Sequence, residues 1–545
     1  MTTIDTVSNT ATGSSGAASS IADWITTSDH KRIGRAMIVL GLLALLGIAV
    51  VGGLLGFERI DINSVSLGSG SIPQLFAIDR IGLAFFAVVP VMLGLGVAVV
   101  PLQVGARSLA FPRLAAAGFW AWFFGMALII ISICANGGPN GGATKYVALF
   151  ISSYAVMLGG LTFVAIALAA TVLTTRAPGM NMRRVPLFAW SVLVSTLGLI
   201  LVLPVTIGAV IYLYLSYRYN REAFGGNTGI LHWVGFSLTQ PTTFVYALPA
   251  IGFAAEMVPV TARGRMPMRG VVLGGLGLVG VAAFAGVTQT EHPLPWSGSK
   301  FYLGDLFWQK LGDILNWGFF NVLPVLGAVV VLLLAPLAFK GSKPKINAPF
   351  VFGIFGLLMV LVGMAGGILN GIIDLGLRGT VFEEGAYVYV CYGALLAGMG
   401  AVAYWGPKLW GRRMPDKAVG PLALLGVLAT VLAGFPYYIA GFANQPGDFT
   451  GPAKDLVTFS YSGPHALWNT LATIGHGLMV ITVLAFIALA LKSFTSGAAA
   501  GDDPWDAHTL EWATSSPPPT DNFAAMHTVA SAEPLIDLKP SGEAS

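Results

Sequence analysis

Ionisable residues are scarce in this chain, and a few of them stand at the ends of long apolar runs, where their chemistry would matter most. They are Asp79, Arg80, Glu291, His292, Glu383 and Glu384. A charge at the centre of a bilayer costs about 2.5–3.5 kcal/mol on insertion scales. Such residues are therefore usually anchors at the membrane edge or parts of a functional site.

Two interpretations of these residues are open. In the first, Asp79, Glu291 and His292 form a metal site together with Glu383 or Glu384, because carboxylates plus one imidazole suit zinc, iron or manganese, and Arg80 pairs with Asp79. In the second, the same groups anchor helices at the outer membrane surface, neutralised by one another or by water.

The composition places these residues in a membrane protein. Of 545 residues, 55% are hydrophobic and 10% are charged, whereas soluble domains carry about 25% charged residues. The net charge of +4 is spread along the chain, which excludes a nucleic-acid-binding cluster. The two cysteines, Cys134 and Cys391, lie in separate apolar runs and predict neither a disulfide framework nor a zinc site.

Twelve apolar runs are long enough to span a bilayer, which takes about 20 residues. Within lipid these runs must be helices, because every backbone N–H and C=O needs an internal partner. The sequence therefore predicts an all-α integral membrane protein with twelve transmembrane helices. The runs are centred near Leu45, Leu93, Met126, Phe163, Ile200, Ala247, Val279, Val329, Val360, Leu395, Val427 and Val483.

The loop charges and the terminal segments predict the topology. Lysine and arginine concentrate in alternate connections, so the positive-inside rule places both termini in the cytoplasm and Asp79 at the outer face. We expect a disordered N-terminal tail over 1–33, a transmembrane domain over 34–492 and an extended C-terminal tail over 493–545. On this topology Glu256 lies near the cytoplasmic end of its helix, where Arg263 or Arg265 would neutralise it.

Four separate motifs resemble one family. They are "VPLQVGARSLAFPRL" (100–114), "RAPGMNMRRVPLFAWSVLV" (176–194), "YWGPKLWGR" (404–412) and "DPWDAHTLEWATSSPPPTDNF" (503–523). In this order they resemble subunit I of the aa3-type cytochrome c oxidases, of the haem-copper oxidase family. The resemblance implies a twelve-helix fold in a cell inner or plasma membrane, and other membrane subunits (II and III) and lipid as partners. It also implies electron transfer from cytochrome c to O2 with proton pumping, and two haems and a copper as cofactors.

The family holds its haems and copper with histidines, and the matching positions here almost all lack imidazole. They fall on Asp79 in helix II, on Gln240 in helix VI, on Glu291 and His292 in helix VII, and on Gly385 with Tyr387 (or Ala386 with Val388) in helix X. Of these, only His292 offers a ring nitrogen to iron or copper.

The supporting chemistry of the family is replaced as well. The proton-donating glutamate matches Thr242, the cross-linked tyrosine matches Phe244, and the propionate-binding arginines match Asn444 and Gln445. Positions of the two proton channels match Ser108, Ala115 and Ala328, and the magnesium site matches Leu377 and Arg378.

From these replacements we predict a non-catalytic subunit I-like protein within a membrane complex, with no haem or copper of its own. The alternatives are a membrane enzyme with the rebuilt carboxylate–imidazole site at Asp79, Glu291 and His292, and an oxidase with unusual haem ligation. An ion pathway through the outer polar cluster has the least support. We also expect Phe244, Tyr246, Tyr387 and Tyr389 to fill part of the vacated haem volume, with only one of Tyr387 and Tyr389 facing inward.

Overall fold

The structure of the protein is a computed structural model. It describes residues 26–61, 66–67, 71–139, 141–219, 234–289, 293–294, 305–447, 463–523 and 528–538. Most of the predicted N-terminal tail (1–33) and the end of the C-terminal tail lie outside these ranges.

Twelve helices within the described ranges are long and apolar enough to cross a membrane, which confirms the predicted number. They are α1 (His30–Glu58), α2 (Ile72–Gln103), α3 (Pro112–Cys134), α4 (Thr144–Thr174), α5 (Leu187–Tyr219), α6 (Thr243–Ala262), α7 (Arg269–Thr288), α8 (Leu311–Ala338), α9 (Ala348–Asn370), α10 (Val381–Trp410), α11 (Asp416–Phe442) and α12 (His465–Ser496). The helical path into α8 already begins at Asp305.

Helices adjacent in sequence pack against each other, notably α3 with α4, α9 with α10 and α11 with α12. Glycines permit the closest approaches. A methyl group on Gly118 would lie 2.6 Å from the carbonyl oxygen of Gly160, and one on Gly356 would lie 2.7 Å from that of Gly393. Small residues at such crossings let helix backbones pack tightly where lipid supplies no hydrophobic driving force.

Helices α2, α6 and α10 form the centre of the bundle, since the most apolar stretch of each is completely buried. Helix α2 is not uniform. It is α-helical over Ile72–Ile81, π-helical over Gly82–Val88 and α-helical again over Val89–Gln103. A π-helical segment widens the helix and shifts the face that the following turns present. The wide segment begins three residues after Asp79.

The described part of the chain also contains short elements outside the twelve helices. Strands β1 (Gly137–Gly138) and β2 (Gly141–Gly142) pair antiparallel, and so do β3 (Arg412–Arg413) and β4 (Ala498–Ala499). A short helix, α13, covers Pro534–Leu538.

The segment after α12 folds back onto one end of the bundle. Trp505 donates from its indole nitrogen to the carbonyl of Tyr404 at 2.9 Å. Lys408 of α10 is fully buried beneath the segment and donates to the carbonyl of Thr514 at 2.6 Å. Asn522 donates to the carbonyl of Ala106 at 2.9 Å, after α2. Residues 502–523, called the tail segment below, therefore close this end of the bundle.

Candidate functional site

The strongest polar contact at the other end of the bundle joins the residue after α1 to α10. Arg59 donates from Nη1 and Nη2 to the two carboxylate oxygens of Glu384, at 3.0 and 2.7 Å. Both side chains are almost completely buried, with 2% and 5% exposed. A bidentate arginine–carboxylate pair is among the strongest polar contacts in proteins.

The surroundings of Arg59 explain how a buried guanidinium is tolerated. Its Cζ lies 5.0 Å from the ring centre of Phe76 and 5.3 Å from that of Tyr437, so aromatic rings flank the cation. It also donates to the carbonyl of Gly447. Burial alone opposes the charge, but the Glu384 carboxylate outweighs it and raises the pKa of Arg59 above its ordinary value.

An amide pair fixes the backbone beside this ion pair. Asn469 of α12 donates to the carbonyl of Arg59 at 3.0 Å, and Gln445 donates to Asn469 at 3.0 Å. The sequence resemblance aligned Gln445 with one of the family's propionate-binding arginines. In this structure its side chain bonds to Asn469, which in turn holds α12 against Arg59.

Asp79 is buried rather than placed on an outer surface, with 5% of its area exposed. Its carboxylate lies within electrostatic reach of Glu384, Arg59 and Arg80. Among the described residues, no side chain or backbone N–H donates a hydrogen bond to it. The expectation of a helix anchor at the membrane surface is therefore wrong for Asp79, because the side chain faces the interior of the bundle.

Only some of the proposed metal ligands lie within the described residues. Glu291 and His292 lie outside the described residues, so their distance from Asp79 is not tested. Both carboxylate oxygens of Glu384 accept hydrogen bonds from Arg59. Glu383 lines a cavity, described below. Over the described part of the chain, no group of three or more His, Cys, Asp or Glu side chains is arranged to hold a metal ion.

His476 of α12 is a buried imidazole, with 2% of its area exposed. Its Nδ1 lies 2.7 Å from the hydroxyl of Tyr392 in α10. The ring also abuts α1, where a methyl group on Gly52 would lie 2.7 Å from its Cε1. Nε2 has no hydrogen-bond partner within the described ranges. The imidazole thus packs between three helices.

Aromatic side chains occupy the interior at the positions predicted to fill it. Phe244, Tyr246, Tyr387 and Tyr389 are all at most 5% exposed. The expectation that only one of the two α10 tyrosines faces inward is wrong. Tyr387 donates to the carbonyl of Arg80 at 2.5 Å, while Tyr389 stacks on Tyr438 of α11 with ring centres 5.4 Å apart. Both are buried, because α10 has neighbours on both sides.

A cavity of about 840 Å³ lies between α2, α4, α5, α7, α8, α9, the start of α10 and the chain just before α6. Apolar residues such as Phe76 and Phe150 form much of its wall, and Arg80, Arg378 and Gln240 add polar groups. Neither the amide nitrogen nor the amide oxygen of Gln240 has a hydrogen-bond partner in the described structure.

The described cavity wall does not fit the imidazole ligation of haem and copper that the resemblance implies. Haem iron also accepts a thiolate, a thioether or a phenolate, and copper favours imidazole and sulfur donors. The described wall includes no histidine, cysteine or methionine, and its one phenol belongs to Tyr154. Gln240, which the sequence resemblance aligned with a copper ligand, lines this cavity.

Glu256 does not pair with either predicted arginine. Its Oε1 accepts from Gln103 at 2.5 Å and its Oε2 accepts from the backbone N–H of Phe188 at 2.8 Å. Arg265 instead pairs with Asp537 of α13 at 2.7 Å. The predicted neutralisation is wrong because the C-terminal chain, whose position the sequence did not reveal, takes up that arginine.

Comparison with known proteins gives one consistent family. The family described as "Cytochrome C and Quinol oxidase polypeptide I" matches residues 32–478. The chain is 29% identical to "Cytochrome c oxidase subunit 1" of Bacillus subtilis (strain 168), over 96% of this chain and 84% of that protein. It is 28% identical to "Probable cytochrome c oxidase subunit 1-beta" of Nocardia farcinica, over 94% and 87%.

Two further matches bear on architecture. "Heme-copper oxidase subunit I+III" of Aeropyrum pernix is 27% identical, over 93% of this chain and 62% of that protein. A chain from a cryo-EM structure of a heme-copper terminal oxidase dimer superposes with a TM-score of 0.63, covering 86% of this chain and 85% of its own length. At 13% identity this last match shows the fold alone.

Proposed function

The chain belongs to the cytochrome c and quinol oxidase polypeptide I family of heme-copper oxidases, and from this premise we propose that it is a non-catalytic member serving as a subunit of a membrane complex. The family fold is present in all twelve helices. What is proposed is that this fold no longer carries out oxygen reduction.

The observation that carries the proposal is the chemistry of the cavity wall. Its described residues supply amide, guanidinium, carboxylate and apolar groups and the phenol of Tyr154, but no imidazole, thiolate or thioether to hold iron porphyrin or copper. The buried imidazole of His476 is engaged by Tyr392 and sits against α1.

The residues that replace the family's proton and redox groups support the same proposal. Thr242 and Phe244 are buried at 1% exposure each. A threonine hydroxyl cannot relay protons as a carboxylate of tuned pKa does. The ring of Phe244 has no hydroxyl to oxidise.

We propose further membrane subunits as the partners, with lipid around the bundle. Several relatives are named as one numbered subunit, and one is named subunit I+III. The positive-inside pattern favours both termini in the cytoplasm of an inner or plasma membrane. The tail segment would then close the cytoplasmic face.

The test is a haem and metal assay on two preparations. The chain is purified once with its native partners and once expressed alone, and each is analysed by visible absorption, extracted haem and metal content. We expect no haem and no stoichiometric copper in the chain alone, and further membrane subunits in the native preparation. Two haems per chain in the isolated protein would contradict the proposal and support a catalytic oxidase. A native preparation that contains the chain alone would contradict its role as a subunit of a complex.

One observation favours a second candidate, the rebuilt metal site. Asp79 is a buried carboxylate to which none of the described residues donates a hydrogen bond, and together with Glu291 and His292 it would suit zinc, iron or manganese. Stoichiometric metal in the wild type that is lost in Asp79→Asn but retained in Asp374→Asn would support this site. Absence of bound metal from the wild type would remove it.

A further inference from the structure

Two carboxylates meet inside the bundle at the end closed by the tail segment. Gln103, the last residue of α2, donates from its Nε2 to Glu256 of α6 at 2.5 Å and to Glu511 of the tail segment at 3.1 Å. All three side chains are buried, with at most 3% exposed. The two acids are therefore only two hydrogen bonds apart.

Neither carboxylate has a cation in contact. Glu256 accepts otherwise from the backbone of Phe188, and Glu511 accepts from the indole nitrogen of Trp405 at 3.1 Å. In the described chain, no lysine or arginine lies within ion-pair distance of either one. Oε2 of Glu511 and Oε1 of Gln103 have no hydrogen-bond partner among the residues described.

The nearby charges are already committed to other groups. Arg269 of α7 bonds to Glu533 at 3.2 Å and to the carbonyl of Val185 at 2.6 Å. Lys408 of α10 donates to the carbonyls of Asp502, Thr514 and Ser515. Tyr404 lies within electrostatic range of both carboxylates. Asp502 and Asp503 lie within range of Lys408, whose positive charge they partly offset.

Two like charges so close, buried and without a contacting cation, cannot both remain ionised at little cost. We propose that Glu256, Gln103 and Glu511 form a buried proton-binding site that holds one proton for its two carboxyl groups, and that this proton keeps the tail segment docked on the bundle. A proton on Oε2 of Glu511 would turn this unpartnered oxygen into a hydrogen-bond donor. The unpartnered Oε1 of Gln103 is an acceptor in the same cluster.

The electrostatics of Glu511 agree with this geometry. Burial raises the pKa of the Glu511 carboxyl above its ordinary value, although hydrogen bonds from Gln103 and Trp405 act the other way. When the tail segment is undocked, the same carboxyl returns to water and to an ordinary pKa, about 4.3. The contribution of this proton to docking is therefore fully present below the pKa of the undocked carboxyl. The docking equilibrium constant then falls about tenfold per pH unit until the pH exceeds the raised pKa of the docked carboxyl.

The first measurement is infrared difference spectroscopy on the full-length protein in H2O and D2O. We expect a carbonyl band of a buried carboxylic acid at neutral pH in the wild type, absent from Glu511→Gln and from Glu256→Gln. Asp521→Asn changes an exposed acid in the same tail segment and should keep the band. A wild-type spectrum without the band would overturn the proposal, and this measurement requires no variant to fold.

The second measurement follows docking by hydrogen exchange of residues 502–523 across about pH 4.5 to about pH 9. We expect exchange, corrected for its intrinsic pH dependence, to rise with pH in the wild type and in Asp521→Asn. In Glu511→Gln it should stay constant, since glutamine mimics the protonated acid. An unchanged pH response in Glu511→Gln, or none in the wild type, would contradict the proposal.

Discussion

Arg59 and Glu384 form a bidentate ion pair inside the bundle although 325 residues separate them in the chain. The pair joins the end of α1 to the first turn of α10, and amide contacts from α12 hold its backbone. Four predictions follow from this pair and from the contacts at the two ends of the bundle.

Removing one partner of the buried pair should destabilise the protein strongly. Glu384→Gln leaves the Arg59 guanidinium buried without a counter-charge, which typically costs about 3–5 kcal/mol. Thermal or denaturant unfolding of the detergent-solubilised protein measures the loss. The matched control is Asp416→Asn, because Asp416 pairs with Arg413 at 2.9 Å but both side chains are about one-third exposed. Such a pair contributes about 0–1 kcal/mol. Similar losses in both variants would contradict the structural assignment.

Two neighbouring glycines of α1 should respond oppositely to alanine. In Gly52→Ala the new methyl group would meet the His476 ring at 2.7 Å, whereas in Gly53→Ala it would meet the Cβ of His476 at an ordinary 3.6 Å. We expect Gly52→Ala to lower the free energy of unfolding by about 1–3 kcal/mol. Gly53→Ala should be neutral or slightly stabilising, because alanine favours helix. Equal unfolding midpoints for the two variants would show that His476 does not pack against Gly52.

The stability of the protein should depend on pH through Glu511. A carboxyl whose pKa is higher in the folded than in the unfolded chain supports folding fully below its ordinary pKa. That support is lost as the pH rises through the folded-state pKa. We therefore expect Glu511→Gln to raise the unfolding temperature at about pH 8–9 and to leave it unchanged near pH 4. A difference of the same size at both pH values would exclude titration as the cause.

Lys408 should be essential for holding the tail segment. Its ammonium group donates to three backbone carbonyls of that segment, and hydrogen bonds to charged groups contribute about 1.5–3 kcal/mol each. Lys408→Met should therefore increase protease cleavage within residues 502–523 at least about tenfold, which corresponds to about 1.4 kcal/mol. Lys417→Met removes an exposed lysine after α10 and should leave cleavage unchanged. Protection in both variants would mean that the tail docks without Lys408.

The helices could be predicted from the sequence because each one is encoded locally. An apolar run such as the one around Leu395 must be helical in lipid whatever its neighbours are, and the structure has α10 over Val381–Trp410. The π-helical segment Gly82–Val88 was not predicted. It depends on packing around α2, and its glycine, alanine and phenylalanine residues fit an ordinary α-helix equally well.

The polar interior could not be predicted, since its partners are distant in sequence. Arg59 stands in a connection between apolar runs, and Glu384 was interpreted from the sequence as either a metal ligand or an anchor at the membrane surface. His476 has no local signal at all, because a histidine in an apolar helix looks the same whether it faces lipid, protein or a cofactor. The short spacing of Asp79 and Arg80 suggested an ion pair between them. In the structure, the buried bidentate ion pair is instead the one between Arg59 and Glu384.

The tail segment has a consequence for how the protein is made. Lys408 donates to carbonyls that lie beyond residue 500, and Gln103 donates to Glu511 in the same segment. These groups are synthesised after all twelve helices. A chain that stopped before residue 502 would therefore contain every transmembrane helix, yet the ammonium group of Lys408 would lack the three carbonyl acceptors that it has in the complete structure.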